Sequence, residues 1–169
     1  LWFGEYFDYE NNSPDFFLTE VSGIPFGLMG EMLEKGGNPW RGMTFGMTAR
    51  LPWAGDPTGL WRLWDDFGIQ QSRLMGWWSG RDPVTTSDPD VLATTWIRPG
   101  AAMVALGSWR DDSTTVRLTL DWAALGLDPA RTRIRAPAVS GFQAAGSWAP
   151  DEAIPVPGKR GVVVVLEQR

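Results

Sequence analysis

Three times within the first 57 residues a helix-capping side chain stands directly before proline: Ser13-Pro14, Asn38-Pro39 and Asp56-Pro57. A Ser, Asn or Asp at the N-cap accepts a hydrogen bond from the first turn, and proline at the first helical position lacks an amide that would have no intrahelical partner anyway. Each pair therefore predicts a helix start. The first predicts Pro14–Val21, stopped at Gly23, and the second Trp40–Ala49. The third predicts a helix with Leu60, Leu63, Trp64 and Phe67 at 3.6-residue spacing, Gly68 as its C-terminal cap, and Arg62, Asp65 and Asp66 on its wet face. Two apolar runs flank the first helix, Leu1–Glu5 (LWFGE) and Ile24–Glu31 (IPFGLMGE). Strand, short helix, strand is the order of a parallel β-α-β unit.

Beyond residue 90 the texture changes to short strands between turns. Val91–Ile97 and Ala101–Trp109 flank Arg98-Pro99-Gly100. Thr115–Leu120 alternates, with Val116, Leu118 and Leu120 inward and Arg117 and Thr119 outward. Trp122–Leu125 is a helical turn broken by Asp128-Pro129. Thr132, Ile134 and Ala136 then alternate with Arg131, Arg133 and Arg135, an arginine stripe that reads as a solvated face. Val162–Leu166 closes the chain as a buried strand. This pattern predicts an antiparallel β-sandwich of about six to eight strands. Ser72–Trp78 reads as a strand or an irregular bridge. Ser79–Asp90 (SGRDPVTTSDPD), rich in turn residues, reads as the connection, with 81–90 as the linker proper. The expected fold class is α/β followed by all-β, with residues 1–80, 81–90 and 91–169 as α/β part, linker and sandwich.

What the chain lacks prunes its chemistry. It has no cysteine and no histidine, so thiolates, zinc–sulfur sites, imidazole bases and Ser-His-Asp triads are excluded. No phosphate-binding glycine loop is present, no cofactor is called for, and Asp88-Pro89-Asp90 is too sparse to propose an oxygen-ligated metal site. A net charge of −5 and a pI near 4.7 disfavour a nucleic-acid partner. The apolar runs, the closing Gly161–Leu166 among them, are far below the roughly 20 residues of a membrane helix. Absence of cysteine suits an exported protein, and an extracytoplasmic (secreted or periplasmic) location is expected. The opening on Leu1, already inside an apolar run, is expected of the C-terminal part of a longer chain.

Catalysis by such a chain would fall to carboxylates, as in glycoside hydrolysis. Glu5 and Glu31 each end a predicted parallel strand, where ligands of such sheets bind. Neighbouring strands lie about 4.8 Å apart, compatible with the about 5 Å carboxyl separation of retaining glycosidases or the roughly 6.5–9.5 Å of inverting ones. Glu5 and Glu31 are therefore the catalytic candidates; the alternative is that one or both carboxylates cap backbone amides or pair with Arg41 or Arg50. Tyr6, Asp8 and Tyr9 are candidate substrate contacts. Arg41 and Arg50 suit a sugar acid or sulfate, or a structural ion pair. Of the 11 tryptophans, Trp40 and Trp53 stand beside Pro and Gly, where an indole serves either a core or the C–H face of a sugar.

The strings SGIPFGLMGEML, NPWRGMTFGMTARLPW, GLWRLWDDFGI and LMGWW, and later PDVLATTW, DWAALGLDP, APAVSGFQ and IPVPGKRG, resemble a group of large bacterial glycoside-hydrolase-like proteins. That group is related to the family-123-like enzymes that act on N-acetylgalactosaminides. The resemblance covers nearly all of the chain. It implies that residues 1 to about 80 are the end of a (β/α)8-type barrel and that a β-sandwich follows from about 88. Family-123 enzymes are held to use an Asp-Glu pair assisted by the substrate's acetamido group. No adjacent Asp-Glu occurs in residues 1–80, and Asp151-Glu152 lies in the expected sandwich. No family catalytic residue carries over, which implies that the catalytic pair lies before Leu1 and makes Glu5 a pocket wall. The resemblance implies a glycan substrate, with the remainder of the barrel as partner and no turnover from this chain alone. The alternative is a non-catalytic carbohydrate-binding or purely structural module.

Overall fold

The computed structural model describes residues 13–20, 38–46, 56 and 58–168. Its helices are α1 (Pro14–Glu20), α2 (Pro39–Thr44), α3 (Thr58–Phe67) and α4 (Trp122–Leu125). Its strands are β1 (Arg73–Met75), β2 (Val84–Thr86), β3 (Val91–Arg98), β4 (Ala101–Ser108), β5 (Thr114–Val116), β6 (Leu118–Leu120), β7 (Thr132–Ala136), β8 (Gly146–Trp148), β9 (Ile154–Val156) and β10 (Gly161–Gln168). The strands expected at Leu1–Glu5 and Ile24–Glu31 lie outside the described residues.

Strand β10 (GVVVVLEQ) is apolar without alternation, which is the pattern of a strand covered on both faces. It lies inside a six-stranded sheet of order β1-β3-β4-β10-β7-β8, and every pairing in that sheet is antiparallel. Its register, Val164 opposite Val104 and Val163 opposite Ala105, divides the side chains between two cores. Ala93, Val104, Leu106, Ile134, Val164 and Leu166 face one side, where two antiparallel ribbons, β2-β6 and β5-β9, add Val84, Val116, Leu118, Ile154 and Val156. Trp96, Met103, Ala105, Val163 and Val165 face the other side and meet Met43 of α2 and Leu60 and Phe67 of α3. The fold is thus three layers: ribbons, sheet and helices. The sandwich expectation describes the ribbon side, and the helices close the other.

The local elements follow the sequence where one face decides them. Strand β7 alternates as expected, with Thr132, Ile134 and Ala136 buried and Arg133 and Arg135 exposed. Helix α3 buries Leu60 and Phe67 and half-buries Leu63 and Trp64, while Arg62, Asp65 and Asp66 face water. Gly68 then leaves it at φ 75°, a left-handed conformation that glycine adopts without a Cβ clash. Asp56 caps the start of this helix by accepting the Thr58 amide at 2.9 Å.

Elsewhere the structure departs from expectation. The run Thr115–Leu120 is two strands, β5 and β6, which pair with different partners, β9 and β2. The expected linker 81–90 contains β2, and Val84 is fully buried in the ribbon-side core. Helix α3 and strand β1, expected on the barrel side of that linker, pack on the β3-β4-β10 face and pair with β3 respectively.

Leu166, fully buried on the ribbon side of β10, makes this two-faced core testable. Leu166→Ala is expected to cost about 2–5 kcal/mol in urea unfolding. Arg133→Ala, on the exposed face of the neighbouring strand, should stay within about 0.5 kcal/mol of the parent.

Candidate functional site

Helix α2 has only six residues, far fewer than the roughly 12 an isolated helix needs in water. Tertiary packing therefore has to hold it. Asn38 caps it as the sequence predicted: its side-chain oxygen accepts the Arg41 amide at 3.1 Å, and its side-chain amide donates to the carbonyl of Lys159 in the turn before β10. Gly107 of β4 allows the close approach, since a Cβ there would stand 2.6 Å from Thr44 Cγ2 and 3.2 Å from the Trp40 carbonyl. Thr94 of β3 donates to the Thr44 carbonyl at 2.6 Å. The helix ends at Thr44, with Phe45 as its C-cap turned into an aromatic cluster and Gly46 following at φ 85°; residues 47–49 of the expected helix lie outside the described residues. In that cluster Phe45 stacks on Trp78 at 6.0 Å and meets Trp77 and Trp109 edge-on at 6.0 and 6.3 Å.

Two of the sequence candidates, Trp40 and Arg41, lie on this helix. Arg41 is 1% exposed. Its Nε donates to the Ser108 carbonyl at 2.9 Å and its guanidinium stands 4.8 Å from the centroid of Trp109. A bond from a charged donor is worth about 1.5–3 kcal/mol and a desolvated cation–π contact about 2 kcal/mol. Together these offset much of the cost of burying the charge. Arg41 thus ties the helix to the end of the central strand β4 through a carbonyl and to the indole of Trp109. Trp40 stacks on Phe142 at 4.4 Å with an interplanar angle of 12°, and Arg160 stands 5.3 Å from its ring centroid. Phe142 is held in turn by Gln143, whose side chain donates to the carbonyls of Pro137 and Val163 and accepts the Val163 amide, all at 2.8–2.9 Å. Glu5, Tyr6, Asp8, Tyr9, Glu31, Arg50 and Trp53 lie outside the described residues.

A second feature, missed from sequence, lies where the chain passes from the turn at Trp77–Ser79 into β2. A pocket of about 200 Å³ is lined there by Trp77, Asp82, Thr85, Asp88 and the apolar Val84 and Val91. Asp82 Oδ1 accepts the Val84 amide at 3.1 Å and the Thr95 hydroxyl at 3.0 Å. Oδ2 is shielded from water and has no partner among the described residues, and the same holds for Trp77 Nε1. Burial pushes the Asp82 carboxyl up to about 6, against the downward pull of the Val84 amide and the Thr95 hydroxyl. Asp88, by contrast, pairs with Arg110 at 3.4 Å and accepts the Asp90 amide at 3.0 Å. The available signal was the run Val84-Thr85-Thr86, β-branched throughout but hidden among Pro, Asp and Ser. Among the described residues no group of three or more Asp or Glu stands together to hold a metal, and no helix is long and apolar enough to cross a membrane.

The described residues thus form a turn-rich antiparallel β-domain with the short helix α2 packed on its sheet. The comparisons with known proteins give both parts. The family model described as glycoside hydrolase 123, C-terminal domain, matches residues 56–167, and that described as glycoside hydrolase 123, TIM-barrel domain, matches residues 1–52. The chain belongs to glycoside hydrolase family 123. No curated protein sequence matches it. Helix α2 falls within the barrel-domain match and packs on the sheet that lies within the C-terminal-domain match.

Two measurements probe these geometries. Gly107→Ala is expected to cost about 1–3 kcal/mol by forcing α2 off β4. Adding Thr44→Ser, which removes the nearest methyl and keeps the hydroxyl, should recover part of that loss in urea unfolding. For Asp82, the folded carboxyl holds its proton at a pH where the unfolded one has lost it, so stability falls as pH rises from about 4 to about 6. Asp82→Asn cannot lose that proton. Its Tm should match the parent near pH 4 and exceed it above pH 6, and equal pH profiles would exclude a raised Asp82 pKa.

Proposed function

We propose that this chain is the C-terminal portion of a glycosidase acting on glycans, in which the β-domain braces the end of the catalytic barrel. The observation that carries the reading is the burial of α2, a barrel-domain segment by sequence, in the sheet of the C-terminal domain. A complete (β/α)8 barrel takes roughly 250 residues, and the barrel-domain match spans 1–52. The chain in this reading supplies one arc of the barrel and not the whole. Glu5, Tyr6, Asp8, Tyr9 and Glu31 then form part of the wall of the sugar pocket, with Arg50 and Trp53 near it. Trp40 and Arg41 hold the arc in place from behind. The boundary between the domains falls near residue 56, ahead of α3, because α3 packs in the core of the sheet and β1 pairs with β3.

An assay on nitrophenyl glycosides, 2-acetamido sugars included, tests this. The 169-residue chain is expected to give no turnover by itself. Preceded by the remainder of the barrel it should turn over, and kcat/KM should fall by about tenfold in Glu5→Gln and in Glu31→Gln, equivalent to ~1.4 kcal/mol of transition-state stabilisation each. Robust hydrolysis by the chain alone, abolished in Glu5→Gln, would make Glu5 a catalyst and overturn the bracing reading.

A further inference from the structure

Asp82 stands on the ribbon side of β3, between the turn at Trp77–Ser79 and β2, and ties the segment that carries β2 to the sheet. We propose that this tie is a pH-operated latch: with its proton on, Asp82 fastens residues 80–87 to β3, and with its proton lost the segment swings out while the rest of the sheet stays folded. The latch goes beyond the glycan reading and does not depend on it.

The need for a proton comes from where the carboxyl is held. Its Oδ1 accepts the Val84 amide at 3.1 Å and the Thr95 hydroxyl at 3.0 Å. Its Oδ2 is shut off from water and has no partner among the described residues. A charge in that place keeps one oxygen unsolvated and unanswered, whereas the neutral acid brings no charge into the interior. Among the described residues no cation pairs with it. Arg81, the preceding residue, and Asp90 are exposed. Asp88, across the pocket, pairs with Arg110 at 3.4 Å. Asp121, whose amide donates to the Pro83 carbonyl at 2.8 Å, caps α4 with its carboxylate. Strand β3 brings only Ala93, Thr94 and Thr95 to this level. Burial accordingly pushes the Asp82 carboxyl up to about 6.

The segment is built to move as a unit. At one end Gly80 sits at φ 65° with nothing within 4 Å of where a Cβ would stand, so no neighbour resists rotation there. At the other end residues 88–90 are pinned, Asp88 by Arg110 and the Asp90 carbonyl by the Trp109 amide at 2.8 Å. Between them β2 is three residues long and, among the described strands, pairs with β6, itself three residues. Besides that register, opening gives up the Asp82–Thr95 bond, the Thr86 hydroxyl on the Val91 carbonyl at 2.6 Å, the Asp121 amide on the Pro83 carbonyl and the Ser87 amide on the Arg117 carbonyl at 3.0 Å, and it exposes Val84. Strand β3 keeps β1 and β4 throughout. So few bonds permit opening short of global unfolding. Trp77 lines the pocket and meets Phe45, at the end of α2, edge-on at 6.0 Å. One indole thus touches both the latch and the helix side of the sheet.

Opening carries Asp82 into water, where a carboxyl has its ordinary value of 3.8, and releases one proton. The opening constant should therefore rise by about 100-fold from about pH 4 to about pH 6 and level off above. Amide hydrogen exchange of the 169-residue chain, with intrinsic base catalysis divided out, reads this. The Ser87 and Asp121 amides should show the rise, and the Val104 and Val164 amides of the central strands none. Asp82→Asn should be flat with pH. Thr95→Val, which removes a donor to the charged form, should move the levelling-off to higher pH, an effect that mere loss of packing does not produce. In the parent, the carboxyl 13C shift of Asp82 should titrate near pH 6. An equal rise at Val104 and Val164 would mean global unfolding in place of a latch. An undiminished rise in Asp82→Asn, or an Asp82 carboxyl titrating at its ordinary value, would remove its charge from the mechanism. Each of these three results overturns the proposal.

Discussion

The rest of the structure depends on one constraint: the central strands β4 and β10 are apolar on both faces. Strand β4 (AAMVALGS) is buried at every position, and β10 from Gly161 to Leu166. A sheet of that composition cannot present a face to water. At about 25 cal/mol per Å² of apolar surface, leaving either face bare costs several kcal/mol, on the scale of a domain's whole stability. The ribbons β2-β6 and β5-β9 close one side from within the C-terminal domain. The other side needs α2 and α3, and α2 comes from the segment matched by the barrel-domain model. The packing of α2 on the C-terminal domain is therefore built into the composition of the sheet.

That helix is held by features that each answer a cost. It is too short to be stable alone, so Asn38 caps it and Met43 and Phe45 are buried beneath it. It must come close to β4, so position 107 is glycine. Its buried cation must be satisfied, so Ser108 turns a carbonyl towards it and Trp109 lies under it. The last two requirements meet in three consecutive residues, Gly107, Ser108 and Trp109, at the end of β4. This small stretch acts as a socket, and its parts are only intelligible together.

How much of this was legible in the sequence depends on the range of the interactions. Helix α3 and strand β7 were legible, because a single buried face imposes a period on the chain. Helix starts were legible, because Asn38 and Asp56 cap within three residues of themselves. The end of α2 was not, since Phe45 turns away to meet Trp77, Trp78 and Trp109, and those partners lie 32 or more positions on. Strands β5 and β6 read as one because both ribbons cover the same side of the sheet, so Val116 and Leu118 keep a common phase across the break. Strand β2, three residues among turn formers, gives no period at all. Trp40 and Arg41 were named from sequence, but Phe142, Ser108 and Trp109, which decide what those two side chains do, are long-range partners. The Asp82 pocket was hidden by the same turn-rich composition that made the stretch read as a linker.

The two ways of dividing the chain consequently differ, and the difference has content. By sequence family the boundary falls between residues 52 and 56, after α2. By packing, α2 belongs with α3, β3, β4 and β10 in one core. A connection at which a helix of one domain completes the core of the next cannot act as a free hinge, since withdrawing α2 would bare Met103, Ala105 and Val163 and strand the Arg41 charge without the Ser108 carbonyl and the Trp109 ring. Such a joint transmits rigidity. On the reading proposed above, a barrel enzyme's catalytic groups must be held within fractions of an ångström, and a domain locked to the last arc of the barrel would contribute by restricting motion at the strand ends. It could do so without placing any atom on the substrate.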